Sequence, residues 1–254
     1  MAVSSVLNAL VVASTALLTA RLYFSGLHRR YRAFFLLLIF STLQSVAPLV
    51  FASGSGAYQI FWVLTEPVTW FLYAWVVLEL YSLVLQNYQG LYTVGRRLLI
   101  VAVSVALLAS GCSLIVPSHY TRQGRLMAYY YVAERAVYFS LAVFLLTILL
   151  LLMRYPIALN RNTILHSVVF SAYFLSNTVI FLLLSTRGFE AIRIATYGTQ
   201  AVSLAALGTW LAMLNTAGER RTQTLRPAWM PGREEVLVSQ LNNLNLALLR
   251  AAQT

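Results

Sequence analysis

Seven long apolar runs separated by short polar connections constrain this chain more than any other feature. They fall at about 4–26, 33–52, 58–86, 98–117, 126–153, 163–184 and 190–214. A hydrocarbon core of roughly 30 Å is crossed by about 20 apolar residues in a helix, and each run meets that length. Lipid offers no water to satisfy backbone N–H and C=O groups, so such runs fold as helices. The expected fold class is all-α, a polytopic seven-transmembrane-helix bundle. Residues 1–214 form the membrane domain and residues 215–254 a cytoplasmic tail. The runs 58–86 and 126–153 are longer than the bilayer needs, which predicts tilt or projection beyond the lipid.

Composition agrees with that expectation. The 254 residues are 60% hydrophobic and only 10% charged, whereas a soluble domain carries about 25% charged residues. The net charge of +11 does not point to nucleic acid, because all 18 basic residues are Arg and most occupy short connections. Twelve of them lie in the first, third and fifth connections and the tail, against four in the second, fourth and sixth. The positive-inside rule then places the first set in the cytoplasm and the N-terminus outside. The first 20 residues carry no positive charge, so they read as a retained first helix rather than a secretory signal.

Two absences narrow the chemistry. Without lysine, a retinal or pyridoxal Schiff base cannot form, and no cofactor is expected. Without aspartate, Asp-based metal, phosphoryl-transfer and proton-pump arrangements are excluded. Cys112 is the sole cysteine and sits in an apolar run, as a buried thiol does. No Cys/His spacing suits zinc, and no phosphate loop or Ser-His-acid set is present. His28 and His166 fall on one side and His119 on the other; His28 is in a connection, so bis-histidine haem ligation is not expected.

Polar residues at membrane depth are costly, and each is a functional hypothesis by default. Measured from the outer ends of their runs at 1.5 Å per residue, several fall about 10–14 Å deep. They are Gln44, Glu66, Glu134, Arg135, Asn177 and Tyr197, with Arg193 one turn above Tyr197. Trp62, Glu66, Thr69 and Tyr73 share one helix face, as do Tyr130, Glu134 and Tyr138. Pro67 removes a backbone hydrogen bond beside the Glu66 carboxylate and predicts a kink. Two readings follow. Arg135 neutralises Glu66 or Glu134, with Gln44 and Asn177 as interhelical hydrogen-bond partners in an ordinary aromatic belt. Alternatively, these residues line an outer polar and aromatic cavity for a small ligand. A second, inner cluster comprises Glu79, His166 and Arg21. Glu79 points nearly opposite to Glu66 at 100° per residue.

Beyond the seventh run the chain turns polar through Gly218-Glu219-Arg220-Arg221 and Pro231-Gly232. From 233 to 250 it is again expected to be helical, opened by Glu234 and Glu235, which favour a helix N-terminus. Leu237, Leu241, Leu244 and Leu248 form an apolar seam, suited to lying on the membrane or the bundle, or to a short dimer contact.

Several stretches resemble a family of uncharacterised seven-helix bacterial membrane proteins associated with Acidobacteria. They are Glu66-Pro67 with Leu78-Glu79-Leu80-Tyr81, Glu134-Arg135, and Arg154-Tyr155-Pro156 through Asn160-Arg161-Asn162 to His166. The resemblance implies a bacterial inner-membrane protein and carries no activity with it. The layout is also similar to the seven-helix sensing region of some histidine kinases. The chain departs from that pattern, because residues 215–254 are too few for a kinase domain. The expectation is a non-enzymatic, receptor-like or accessory protein that contacts the lipid bilayer. It would bind a small ligand or a partner subunit, with a partner protein or a second copy reached through the tail. A small-solute transporter and a structural subunit of a larger membrane complex are the alternatives.

Overall fold

The computed structural model describes residues 2–45, 56–85, 122–154, 159–187, 191–220 and 222–223, with isolated helical positions between 93 and 104 and between 239 and 250. Helix α1 spans Ala2–Phe24, α2 Arg32–Gln44, α3 Gly56–Val84, α4 Arg122–Arg154, α5 Arg161–Arg187, α6 Ile192–Met213 and α7 Thr216–Arg220. Most of the run 98–117 and the Leu237, Leu241, Leu244 and Leu248 seam lie outside the described residues.

Among the described residues, four stretches are long and apolar enough to cross a membrane: Val6–Phe24, Ile60–Val84, Val132–Leu150 and Arg161–Leu184. These mark a membrane protein. The described part of α2 is a shorter apolar helix. Large apolar side chains such as Leu17, Phe24, Leu64, Phe71, Phe139 and Leu150 stand exposed on the outside of the bundle. Meanwhile Gln44, Glu66, Glu134, Asn162, His166 and Asn177 are buried inside it. A water-soluble bundle places these classes the other way round. Hydroxyl groups on the apolar helices turn back onto their own carbonyls one turn earlier. Thr15 donates to Val11 O at 2.8 Å, Ser171 to Ser167 O at 2.7 Å and Thr209 to Ala205 O at 2.7 Å. Each removes a polar group from the apolar surroundings without needing a partner helix.

The described helices close into a ring. Each of α1 to α6 packs on the next in sequence, α6 returns onto α1, and α3 also touches α5. Helix α3 runs unbroken through Pro67.

The α1–α2 connection is tight. Gly26 takes the left-handed conformation (φ 73°) that a side chain would resist, and a 3-10 turn over Leu27–Arg29 follows. The chain then enters α2 at Tyr31 without a side-chain cap of its own. One departure from an all-helical chain is small: Leu159–Asn160 (β1) pairs antiparallel with Thr222–Gln223 (β2), Leu159 opposite Gln223. It ties the segment after α7 to the start of α5.

Candidate functional site

Two polar centres occupy the interior, one in the half of the bundle around Glu66 and one at the end that carries the α1–α2 turn.

In the first, Gln44 Nε2 on α2 donates to Glu66 Oε1 on α3 at 3.2 Å and to Thr65 Oγ1 at 3.1 Å. Three tyrosines from separate helices meet one turn or two away. Tyr73 and Tyr173 hydroxyls are 2.9 Å apart, and the Tyr138 ring lies 5.7 Å from Tyr73 and 6.1 Å from Tyr173. Glu66 and Glu134, both buried, lie within electrostatic reach of Tyr138. Residues on α2, α3, α4 and α5 thus converge on one interior region. Arg135 and Trp62 are half-buried beside it. Asn177 is buried, but its amide donates to Tyr173 O on its own helix at 2.9 Å. Arg193 is exposed on α6, and Tyr197 is half-buried. The side chain of Tyr130 lies outside the described residues.

At the turn end, the three residues expected to cluster each serve a different partner. The Glu79 carboxylate accepts the Ala33 N–H at 3.2 and 3.1 Å. It supplies from α3 the cap that the start of α2 lacks, and its charge complements the positive end of the helix dipole. The Arg21 guanidinium does the converse at the other pole of α6. It donates to the carbonyls of Leu211 and Leu214, where the last turn leaves acceptors free. His166 is fully buried (0% exposed) within a box of rings, 4.5 Å from Tyr31, 4.8 Å from Phe34 and 6.0 Å from Trp210. Neither ring nitrogen has a hydrogen-bond partner among the described residues.

The most connected polar group at this end is one that the sequence reading passed over. Glu219 on α7 accepts Tyr31 Oη at 2.6 Å and Asn162 Nδ2 at 2.8 Å on one oxygen. On the other it accepts Asn160 Nδ2 at 3.1 Å and forms an ion pair with Arg30 Nε at 2.8 Å. Asn162, itself fully buried, also donates to Asn215 O at 2.7 Å. Gly218 is part of the fit: a Cβ there would lie 2.9 Å from Asn162 Cγ, and closer still to its oxygen. Burial, and then the hydrogen bond to the Glu219 carboxylate, raise the Tyr31 hydroxyl well above the usual tyrosine range. The segments Asn160-Arg161-Asn162 and Gly218-Glu219-Arg220 are visibly polar in the sequence, but nothing there pairs them.

No family model, curated protein or solved structure matches this chain. Among the described residues no three His, Cys, Asp or Glu side chains gather as metal ligands do.

The two centres are linked by shared walls. Between them lies a cavity of about 100 Å³, bounded by Tyr73 and Tyr173 from the first centre and by Phe34, Phe170 and Trp210 from the His166 box.

Proposed function

We propose that this chain is a seven-span, multi-pass protein of the bacterial inner membrane, with its N-terminus outside and its tail in the cytoplasm. In this reading it is receptor-like or accessory, performs no chemistry, and binds a small ligand or a partner subunit at the centre around Glu66. The run 98–117 is the fourth span of this reading, and the resemblance to seven-helix bacterial membrane proteins belongs to this same proposal.

One observation carries the reading. Glu66 and Glu134 are buried inside the bundle and gathered beside three tyrosines from separate helices. Carboxylates at membrane depth cost several kcal/mol unless a partner compensates them, and an aromatic, hydroxyl-bearing wall suits recognition of a polar group. A transport path using Glu66 and Glu79 as stations is less well supported, because Glu79 is committed to the N-terminus of α2.

Purification of the full chain from its native membrane, followed by native mass spectrometry, tests the proposal. A bound molecule or subunit should accompany the wild type and be lost from Glu66→Gln and Arg135→Leu, with the thermal midpoint retained. If both variants lose the folded state instead, the centre is a structural ion-pair network and the proposal fails.

A further inference from the structure

The outward face of α1 and α2 carries an open groove of about 440 Å³. Small side chains line it on α1, Ala16, Thr19 and Ala20, and on α2 it is bounded by Ile39, Thr42 and Leu43. The two threonines make it no less apolar, because each hydroxyl donates to a carbonyl of its own helix at 2.8 Å, Thr19 to Thr15 O and Thr42 to Leu38 O. The rings of Tyr23, Phe24 and Phe35 flank the end nearest the α1–α2 turn. From Ala16 to Phe24 the groove runs about 12 Å at 1.5 Å per residue. One leaflet of a hydrocarbon core of roughly 30 Å is about 15 Å deep. The groove therefore has the depth of a single leaflet.

Its turn end is basic. The His28 ring stacks on Tyr23 at 5.1 Å and lies 5.4 Å from Phe35, so the turn adjoins the groove directly. Arg32 opens α2 on the helix face that carries Ile39 and Leu43, and its Nε donates to Arg29 O at 3.2 Å. Of the three arginines at this turn, Arg30 pairs with Glu219. Arg29 and Arg32 are exposed and form no ion pair among the described residues. Glu79 is within electrostatic reach of Arg32, but its carboxylate is engaged by the Ala33 N–H. An apolar groove one leaflet deep, ending beside two exposed guanidiniums, matches an amphiphile with an anionic head. We propose that it seats one anionic phospholipid, with an acyl chain along Ala16, Ala20 and Ile39 and the phosphate on Arg29 and Arg32. A second copy of the chain fits less well, because a two-fold contact here would set its arginines against these. The assignment requires only that α1 and α2 meet lipid, and it stands whether or not the Glu66 centre binds anything.

The test is native mass spectrometry of the full chain released from mixed micelles with equal amounts of dioleoyl phosphatidylglycerol and dioleoyl phosphatidylcholine. The two lipids share their chains and differ in net charge. One phosphatidylglycerol per chain should be retained in preference, by about twenty- to thirtyfold, at roughly fivefold per arginine. Arg29→Gln combined with Arg32→Gln should bring the preference close to parity, and Lys at both positions should keep most of it. Ala16→Leu and Ala20→Leu fill the groove without touching the arginines, and each should cut phosphatidylglycerol retention by about tenfold or more. Both alanines are exposed, so the thermal midpoints of these variants should match wild type. Glu66→Gln should leave the retained lipid unchanged, which separates this site from the Glu66 centre. The proposal is overturned if wild type retains the two lipids equally, as expected of lipid held by the apolar surface in general. It is equally overturned if the double Gln variant keeps the preference, or if both filled variants retain phosphatidylglycerol as wild type does. A lipid-free dimer that Ala20→Leu disrupts would assign the groove to a second copy instead.

Discussion

Replacing Glu219 by alanine removes the acceptor on which four donors converge: Arg30 and Tyr31 before α2, Asn160 in β1 and Asn162 at the start of α5. The cost can be built up contact by contact. Arg30 is 40% exposed, so its ion pair is solvent-screened and contributes at most about 1 kcal/mol. Asn162 keeps its bond to Asn215 O, so its loss is partial. Tyr31 is fully buried and retains only a long 3.4 Å contact with Thr163, which leaves its hydroxyl nearly orphaned at about 1–3 kcal/mol. The sum, taken as non-additive, is about 2–4 kcal/mol for holding α7 against the bundle. Global unfolding of a membrane bundle is seldom two-state, so local opening is the better measurement. Trypsin cleavage after Arg220, at the end of α7, reports that opening when reclosing outpaces cleavage. Glu219→Ala should accelerate it by roughly thirty- to several-hundred-fold, at tenfold per 1.4 kcal/mol. Glu219→Gln keeps one acceptor oxygen and should fall between, at about 1 kcal/mol. Cleavage of Glu219→Ala within threefold of wild type would refute the reasoning, because it would mean the four contacts do not hold the helix.

Three further outcomes follow from the same geometry. Gly218→Ala drives a methyl group into Asn162, so it should open α7 to trypsin as Glu219→Ala does, although every polar side chain is retained. Glu79→Ala uncaps α2 and should lower stability by about 0.5–2 kcal/mol; Glu79→Gln, which keeps an acceptor, should cost less, and equal thermal midpoints for both variants and wild type would exclude the capping role. Tyr31 has a raised folded-state pKa, so its contribution is fully present below the ordinary tyrosine value of about 10 and is lost as pH rises above it. Tyrosinate absorbance, with Tyr31→Phe as the difference control, should show Tyr31 ionising at lower pH once Glu219 is alanine.

How far the sequence carried the description depends on which physical term each feature obeys. The helices α1, α3, α4 and α5 fall where apolar runs were long enough to cross a bilayer, because that length condition is local and additive along the chain. A fixed rise per residue put Gln44 and Glu66 at one level of their runs, and the two are hydrogen-bonded at 3.2 Å. The grouping of Arg21, Glu79 and His166 fared differently. All three lie toward the turn end, yet one caps α6, one caps α2 and one sits in a ring box.

What the sequence by itself determined is a chain of apolar helices with polar residues at calculable heights. Only the tertiary structure decided which faces meet. Helices apolar on nearly every side carry no stripe that announces their inward face, so rotation about each axis is set by lateral packing and not by local pattern. Tyr31 and Glu219 are 188 residues apart, and Asn160 and Glu219 are 59 apart. Their meeting at one carboxylate depends on how α1, α5 and α6 close the ring. The arginines around Tyr31 could be counted for topology, but which of them would find Glu219 depended on that closure.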